Sequence, residues 1–196
     1  TVGAALNRAL ESCRSDFLAV MTSEVKPAAN LNDILELSHP TAGLIFGNYR
    51  EITGSDIREK EAYKGPEDIT ERAELGPIII YRTTHLKSIG GWNTELKYAC
   101  DYDLRLRLGE ENRLCRLNET LSDLQIAEKL AEQKPSDKLF FPGKGKYGGF
   151  SYLFMEPEEE REIESVFAGS LKRRGAWLEG DAPSISPAPL PSPAVS

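Results

Sequence analysis

Three short apolar runs constrain this chain more than any other feature: Phe17-Leu18-Ala19-Val20-Met21, Ala42-Gly43-Leu44-Ile45-Phe46-Gly47 and Pro77-Ile78-Ile79-Ile80-Tyr81. Each has the length of a sheet strand, and the first reads as a strand buried on both faces. All fall far short of the ~20 residues that cross a bilayer. Helical patterns separate them. Val2 to Arg14 sets Leu6 and Leu10 four apart among alanines, and Leu31 to Leu37 follows Asn30 or Asn32 as a cap. Thr83-Thr84 caps a further helix from His85 to Ile89 that stops at Gly90-Gly91, and Cys100 to Leu108 is another, opened by carboxylates. Helices alternating with such strands predict an α/β fold.

Elsewhere the pattern weakens. Thr41 to Tyr49 reads as one strand, whereas Arg50 to Ala73, charged and interrupted by Gly54 and Gly65-Pro66, predicts a long surface loop with one short helix. Arg113 to Leu117 predicts a short strand, and Leu124 to Gln133 a helix stopped by Pro135. From Lys138 the character changes. Phe140 to Phe150 is a Gly/Lys/aromatic loop, Tyr152 to Met155 a short strand, and Glu158 to Arg174 a helix with acids first and bases last, as the macrodipole favours. Asp181 to Ser196 has the Pro/Ser/Ala composition of a disordered tail. The expected organisation is a main domain over 1–132, a small α/β extension over 133–180 and the tail over 181–196.

Charge and cysteine usage remove several classes. With 24 basic and 31 acidic side chains the net charge is −7, which argues against broad nucleic-acid binding and against anionic membrane surfaces. Cys13, Cys100 and Cys115 cannot all pair and show no CxxC spacing, so a reduced compartment is expected and a structural zinc site is not. His39 and His85 read as surface or cap histidines. The loop Gly143 to Gly149 could approach an anion, yet it lacks the Gly-Lys-Ser/Thr ending of a P-loop, and a plain connector is the simpler reading. The run Glu156-Pro157-Glu158-Glu159-Glu160 reads as a solvated helix start.

The most specific cluster is Gly90-Gly91-Trp92-Asn93-Thr94-Glu95-Leu96 followed by Cys100-Asp101-Tyr102-Asp103-Leu104-Arg105-Leu106-Arg107-Leu108. On the residues alone, Asp101 and Asp103 either cap a helix or do acid–base work, and Trp92 either anchors a core or stacks on a sugar ring. The whole cluster resembles the acceptor-side signature of family-two, GT-A-fold glycosyltransferases, in which Gly-Gly-aromatic-Asp/Asn precedes Glu-Asp-x-Asp-Leu-x-Leu-Arg. The likeness extends upstream through the helix at Ala5 to Leu10 and the segment Phe17 to Pro27, and spans Val2 to Gln125.

That resemblance implies a GT-A-like, Rossmann-like mixed sheet flanked by helices, of which this chain is the carboxyl-side part, with a nucleotide-binding half expected before Thr1. It implies an inverting transfer of sugar from a nucleotide-sugar donor to the hydroxyl of a glycan or lipid-linked acceptor, in cell-surface glycan or glycolipid synthesis. Asp101 takes the place of the catalytic base, with Cys100 where Glu is common, and Gly91, Trp92, Tyr102 and Asp103 line the acceptor side. The family's metal-binding Asp-x-Asp falls on Thr22-Ser23-Glu24, so donor binding goes to Thr22, Ser23 and Glu24, and Glu24 alone remains to hold magnesium or manganese. The implied location is cytoplasmic, peripheral to a membrane, with no nucleic-acid partner. The processive-synthase motif Gln-x-x-Arg-Trp does not occur. Two alternatives follow from the altered motif at 22–24: a non-catalytic relative that binds glycan or protein, or an inactive truncated fragment.

Overall fold

The computed structural model describes residues 1–62, 75–111, 113–126 and 156–177. The Gly143 to Gly149 loop, the strand expected at Tyr152 to Met155 and the tail over 181–196 lie outside the described residues. The architecture is α/β, a mixed sheet flanked by helices. In chain order the elements are α1 (Val2–Ser12), β1 (Phe17–Met21), β2 (Val25–Pro27), α2 (Leu31–Glu36), β3 (Leu44–Thr53) and β4 (Asp56–Lys60). Then come β5 (Ile78–Arg82), α3 (Thr83–Ser88), α4 (Cys100–Glu110), β6 (Leu114–Gln125) and α5 (Pro157–Arg173). No helix among the described residues is long and apolar enough to cross a membrane.

The sheet order is β1-β5-β3-β6-β2, with β4 paired to β3. β3 and β6 run parallel, while β5 is antiparallel to both β1 and β3, and β2 is antiparallel to β6. Alternation along the strands sorts the core into two faces. Leu44, Phe46 and Tyr81 meet Leu10, Leu86, Trp92, Leu104 and Leu108 on the face covered by α1, α3 and α4. Ile45, Ile78, Ile80, Leu117 and Leu121 meet Ile34 and Leu35 of α2 on the other. β1 contributes to both faces, as its unbroken apolar run predicts, but as the last strand of the described sheet it is half-buried from Phe17 to Val20 and exposed at Met21.

Chain connectivity shows that the sheet cannot be flat. From Met21 to Val25 the backbone reaches at most about 14 Å. Yet β1 and β2 stand four strand spacings apart, about 19 Å in a flat sheet. β3 and β6 lose register between Gly47 and Tyr49, an irregularity of the kind that bends a strand. There an added Cβ at Gly47 would lie 2.9 Å from Leu121 Cγ and 3.0 Å from the Glu119 carbonyl oxygen, so only glycine allows the close approach. The turn Thr22-Ser23-Glu24 is thereby carried beside the end of β6, where the Gln125 N–H donates to the Glu24 carbonyl at 2.9 Å.

Two expectations are corrected. The loop expected from Arg50 onward begins instead as a hairpin: β3 continues to Thr53 and returns through Gly54, at φ 56°, as β4. Two of its cross-strand pairs are charged, Arg50 facing Glu59 and Glu51 facing Arg58, one is apolar, Ile52 facing Ile57, and every β4 residue is exposed, so no apolar alternation marks it. The short strand expected at Arg113 to Leu117 runs on to Gln125, so Leu124 and Gln125 are strand where a helix was expected to begin, and the rest of that helix, 127–133, lies outside the described residues. Its polar second half is paired on both sides, by β3 and β2, and tied by Arg50 donating to both carboxylate oxygens of Asp123 at 2.7 and 3.0 Å.

α5, which the sequence places in the extension over 133–180, packs directly on α4. Val166, with Ile163 and Phe167 beside it, closes a buried cluster with Ala99, Tyr102 and Leu106. α4 is therefore covered by the sheet side on one flank and by α5 on another.

Candidate active site

Enclosure on both flanks gives α4 its most informative property. From Cys100 to Glu110 the helix is buried or half-buried at every position except Asp101, its single exposed residue. One carboxylate oxygen of Asp101 is already used: the indole Nε1–H of Trp92 donates to Oδ1 at 2.8 Å. The other oxygen is the one left to a ligand. Trp92 itself is only 2% exposed and meets the edge of Tyr81 at 5.2 Å between centroids and 75° between planes. With both faces inside the core, the ring positions Asp101 and offers no platform to a sugar. Burial, with the nearby charge of Asp101 next in weight, pushes the Tyr81 hydroxyl well above its ordinary range.

The backbone of Trp92 is gripped from α1. Asn7 donates through Nδ2 to the Trp92 carbonyl at 2.8 Å and accepts the Trp92 N–H on Oδ1 at 2.9 Å. Gly3, Asn7 and Leu10 share one helical face, and at Gly3 an added Cβ would lie 3.0 Å from the Asn93 carbonyl oxygen. Gly91 has φ 70°, and a Cβ there would collide with the Asn7 side-chain oxygen. Nothing in the sequence marks Asn7 beyond a polar residue on the apolar face of an alanine-rich helix.

The other residues expected on an acceptor side are held within the protein. Asp103 is buried and accepts Arg107 Nε at 2.8 Å, and Arg107 in turn donates to the carbonyls of Ile89 at 2.9 Å and Gly91 at 2.7 Å. Asp103 thus steers a cation onto the glycine turn. Tyr102 lies in the cluster beneath α5, with the Arg105 guanidinium 5.4 Å from its ring centre. Cys100 is buried, and desolvation, reinforced by Asp101, holds its thiol above the ordinary range and so protonated at neutral pH.

α5 adds a contact that sequence reading missed. The Glu162 carboxylate accepts three backbone N–H groups, from Lys97 at 3.1 Å, Tyr98 at 2.7 Å and Ala99 at 2.7 Å, immediately before α4 begins. Burial tends to raise this carboxyl, but those three donors outweigh it and hold the group below its ordinary value. At the far end of α4, Glu110 accepts the Ser170 hydroxyl at 2.9 Å and both Arg173 donors at 2.8 Å, and these partners likewise outweigh burial and lower it.

The residues expected on a donor side are differently placed. Thr22, Ser23 and Glu24 form an exposed turn closed by the Val25 N–H donating to the Thr22 carbonyl at 3.2 Å. The Ser23 hydroxyl donates to Glu24 Oε1 at 2.9 Å. A magnesium or manganese ion takes about six oxygen ligands, usually with one or two carboxylates from protein. Here the turn offers one carboxylate, already hydrogen-bonded, and two hydroxyls. Among the described residues no group of three or more His, Cys, Asp or Glu side chains could hold a metal. The donor set does not fit a metal centre formed by these residues. No family model matches the chain, and no curated protein sequence matches it.

Proposed function

We propose that this chain provides the acceptor side of an inverting sugar transfer, with Asp101 as the general base. The observation that carries the reading is the burial of all of α4 around one exposed carboxylate whose second oxygen alone is left for a ligand. Such fixing of one oxygen orients the other, and proton transfer to a positioned side chain is worth about 10²–10⁴-fold in rate. In the step, the acceptor oxygen attacks the anomeric carbon and its proton passes to Asp101. The bond from that carbon to the donor's phosphate oxygen breaks, and its electron pair leaves on the nucleoside diphosphate. Gly91 and Trp92 fix the base; Thr22, Ser23 and Glu24 lie toward the donor in the GT-A-like arrangement. The Gly-Gly-Trp-Asn and Asp-Tyr-Asp-Leu motifs support this reading by their likeness to the family signature.

The test is transfer of labelled sugar from a panel of nucleotide sugars to glycan and lipid-linked acceptors, comparing the chain with Asp101→Asn. Loss of transfer in the variant at unchanged melting temperature is the expected result, and equal rates would sink the assignment. The composition of the 22–24 turn favours a second reading, a glycan-binding relative without turnover. Acceptor binding with no transfer from any donor would select it.

A further inference from the structure

We propose that Glu162 is a positioning residue for Asp101: presented by α5, it fixes the turn from which α4 starts and thereby the direction of the oxygen Asp101 offers. This inference rests on the reading of Asp101 as a base. A helix start leaves several N–H groups without partners inside the helix, and Ala99, the cap of α4, has no side chain that can accept one. Glu162 accepts, from another element, the N–H of the cap Ala99 and of the two residues before it, and its charge adds to those of Asp101 and Asp103 at the positive end of the helix. Asp101 is two residues beyond Ala99, and its bond to the Trp92 indole depends on where that first turn sits. Trp92 is fixed independently by Asn7. A shift of the α4 start therefore moves Asp101 against a stationary indole.

The second clasp, Glu110 with Ser170 and Arg173, holds the same two helices together at the opposite end of α4, far from Asp101. It provides the comparison that separates a positioning role from plain attachment of α5. The experiment uses ¹⁵N-labelled protein carrying Trp177→Phe, which leaves Trp92 as the one tryptophan of the two in the chain. The indole N–H resonance of Trp92 is recorded in Glu162→Gln, Arg173→Met and, as reference for a broken bond, Asp101→Ala. Glu162→Gln is expected to move the resonance toward the reference and to lower kcat by about ten- to a hundredfold with donor KM unchanged. Arg173→Met is expected to lower the melting temperature and leave the resonance in place. An unmoved resonance in folded Glu162→Gln, or an equal shift in Arg173→Met, overturns the proposal. Where Glu162→Gln does not fold, Glu162→Asp, one methylene short, carries the same expectation. If the parent transfers no sugar, the base assignment falls, while the indole resonance still decides whether Glu162 positions Asp101.

Discussion

The surroundings of Asp101 and the turn Thr22-Ser23-Glu24 differ in how much of the chain is committed to them. Asp101 is held through Trp92 by α1, through Asp103 and Arg107 by the glycine turn, and through Glu162 by α5. The 22–24 turn is exposed and follows a half-buried strand. A rigid frame around a base makes sense where a proton must be accepted at a fixed distance and angle. An exposed turn with one carboxylate makes sense where the partner brings its own charge and much of its own geometry. The chain organises the surroundings of Asp101 far more completely than the 22–24 turn.

The largest effect expected from breaking that contrast is at Asp101. Asp101→Asn should reduce turnover by about 10³-fold, within the range for loss of a general base, because an amide accepts the Trp92 N–H but not a proton from the acceptor. A steady-state assay at saturating donor checks it, and a residual rate within tenfold of the parent would move the base elsewhere. Next is Trp92→Ala, which empties a buried site beside Tyr81 and should cost about 3–5 kcal/mol of stability by denaturant unfolding. Trp92→Phe keeps most of the packing and loses the donor to Asp101, so its defect should fall on kcat more than on stability.

The glycine pair sharpens the point within two residues. Gly90 and Gly91 both have positive φ, 81° and 70°. A Cβ at Gly90 meets nothing within 4 Å, whereas one at Gly91 meets Asn7. Gly90→Ala should cost only the left-handed penalty of about 1–2 kcal/mol. Gly91→Ala should cost that and also the Asn7 clasp, visible as a greater loss of stability and a displaced Trp92 indole resonance. Equal costs at the two positions would show that the clasp contributes nothing.

How much of this was legible in the sequence follows from the range of the interactions. Strands made of continuous apolar runs, such as β5, and helices with a clear period, such as α1, announce themselves locally. The β3–β4 hairpin does not, because its returning strand is exposed throughout and mostly charged, with Ile57 its one apolar residue. The position of Asp101 at a helix start was legible from its motif, but the burial of the rest of α4 was not, since it depends on α5 arriving from far along the chain. Asn7 and Glu162 illustrate the same limit. Each is an ordinary polar residue in a helix until tertiary structure brings a backbone to it. Trp92 shows the converse: the motif draws attention to it, while only the packing separates a buried indole bonded to Asp101 from an open stacking surface.

Acid should separate the α5 clasps from the core of the main sheet. Glu162 and Glu110 both have carboxyl groups held below their unfolded value, so the stabilisation they provide is complete above that value, about 4.3–4.5, and is lost as pH falls through the lower folded one. From pH 8 to about 5 these groups should leave the melting temperature unchanged, and below that the protection of α5 amides in hydrogen exchange should decline before that of β3. The double variant Glu110→Gln/Glu162→Gln should begin with weaker α5 protection at neutral pH and show a shallower acid dependence. A parallel acid limb in parent and double variant would place the acid sensitivity in other carboxylates.

The smallest effects on stability belong to the exposed turn. Glu24→Ala and Thr22→Asp should each stay within about 0.5 kcal/mol of the parent, as surface substitutions do, in contrast to the kilocalories at Trp92 and Gly91. Thr22→Asp is the informative one because it changes the donor set without burdening the fold. With two carboxylates one residue apart, the turn gains the charge a hard divalent cation prefers. If transfer then rises with added manganese while the parent stays indifferent to it, the donor side was short of a single ligand and the Asp101 frame was already competent. If manganese binds the variant and transfer remains absent, the frame holds a carboxylate for recognition, and the binding reading is the one that accounts for both halves of the comparison.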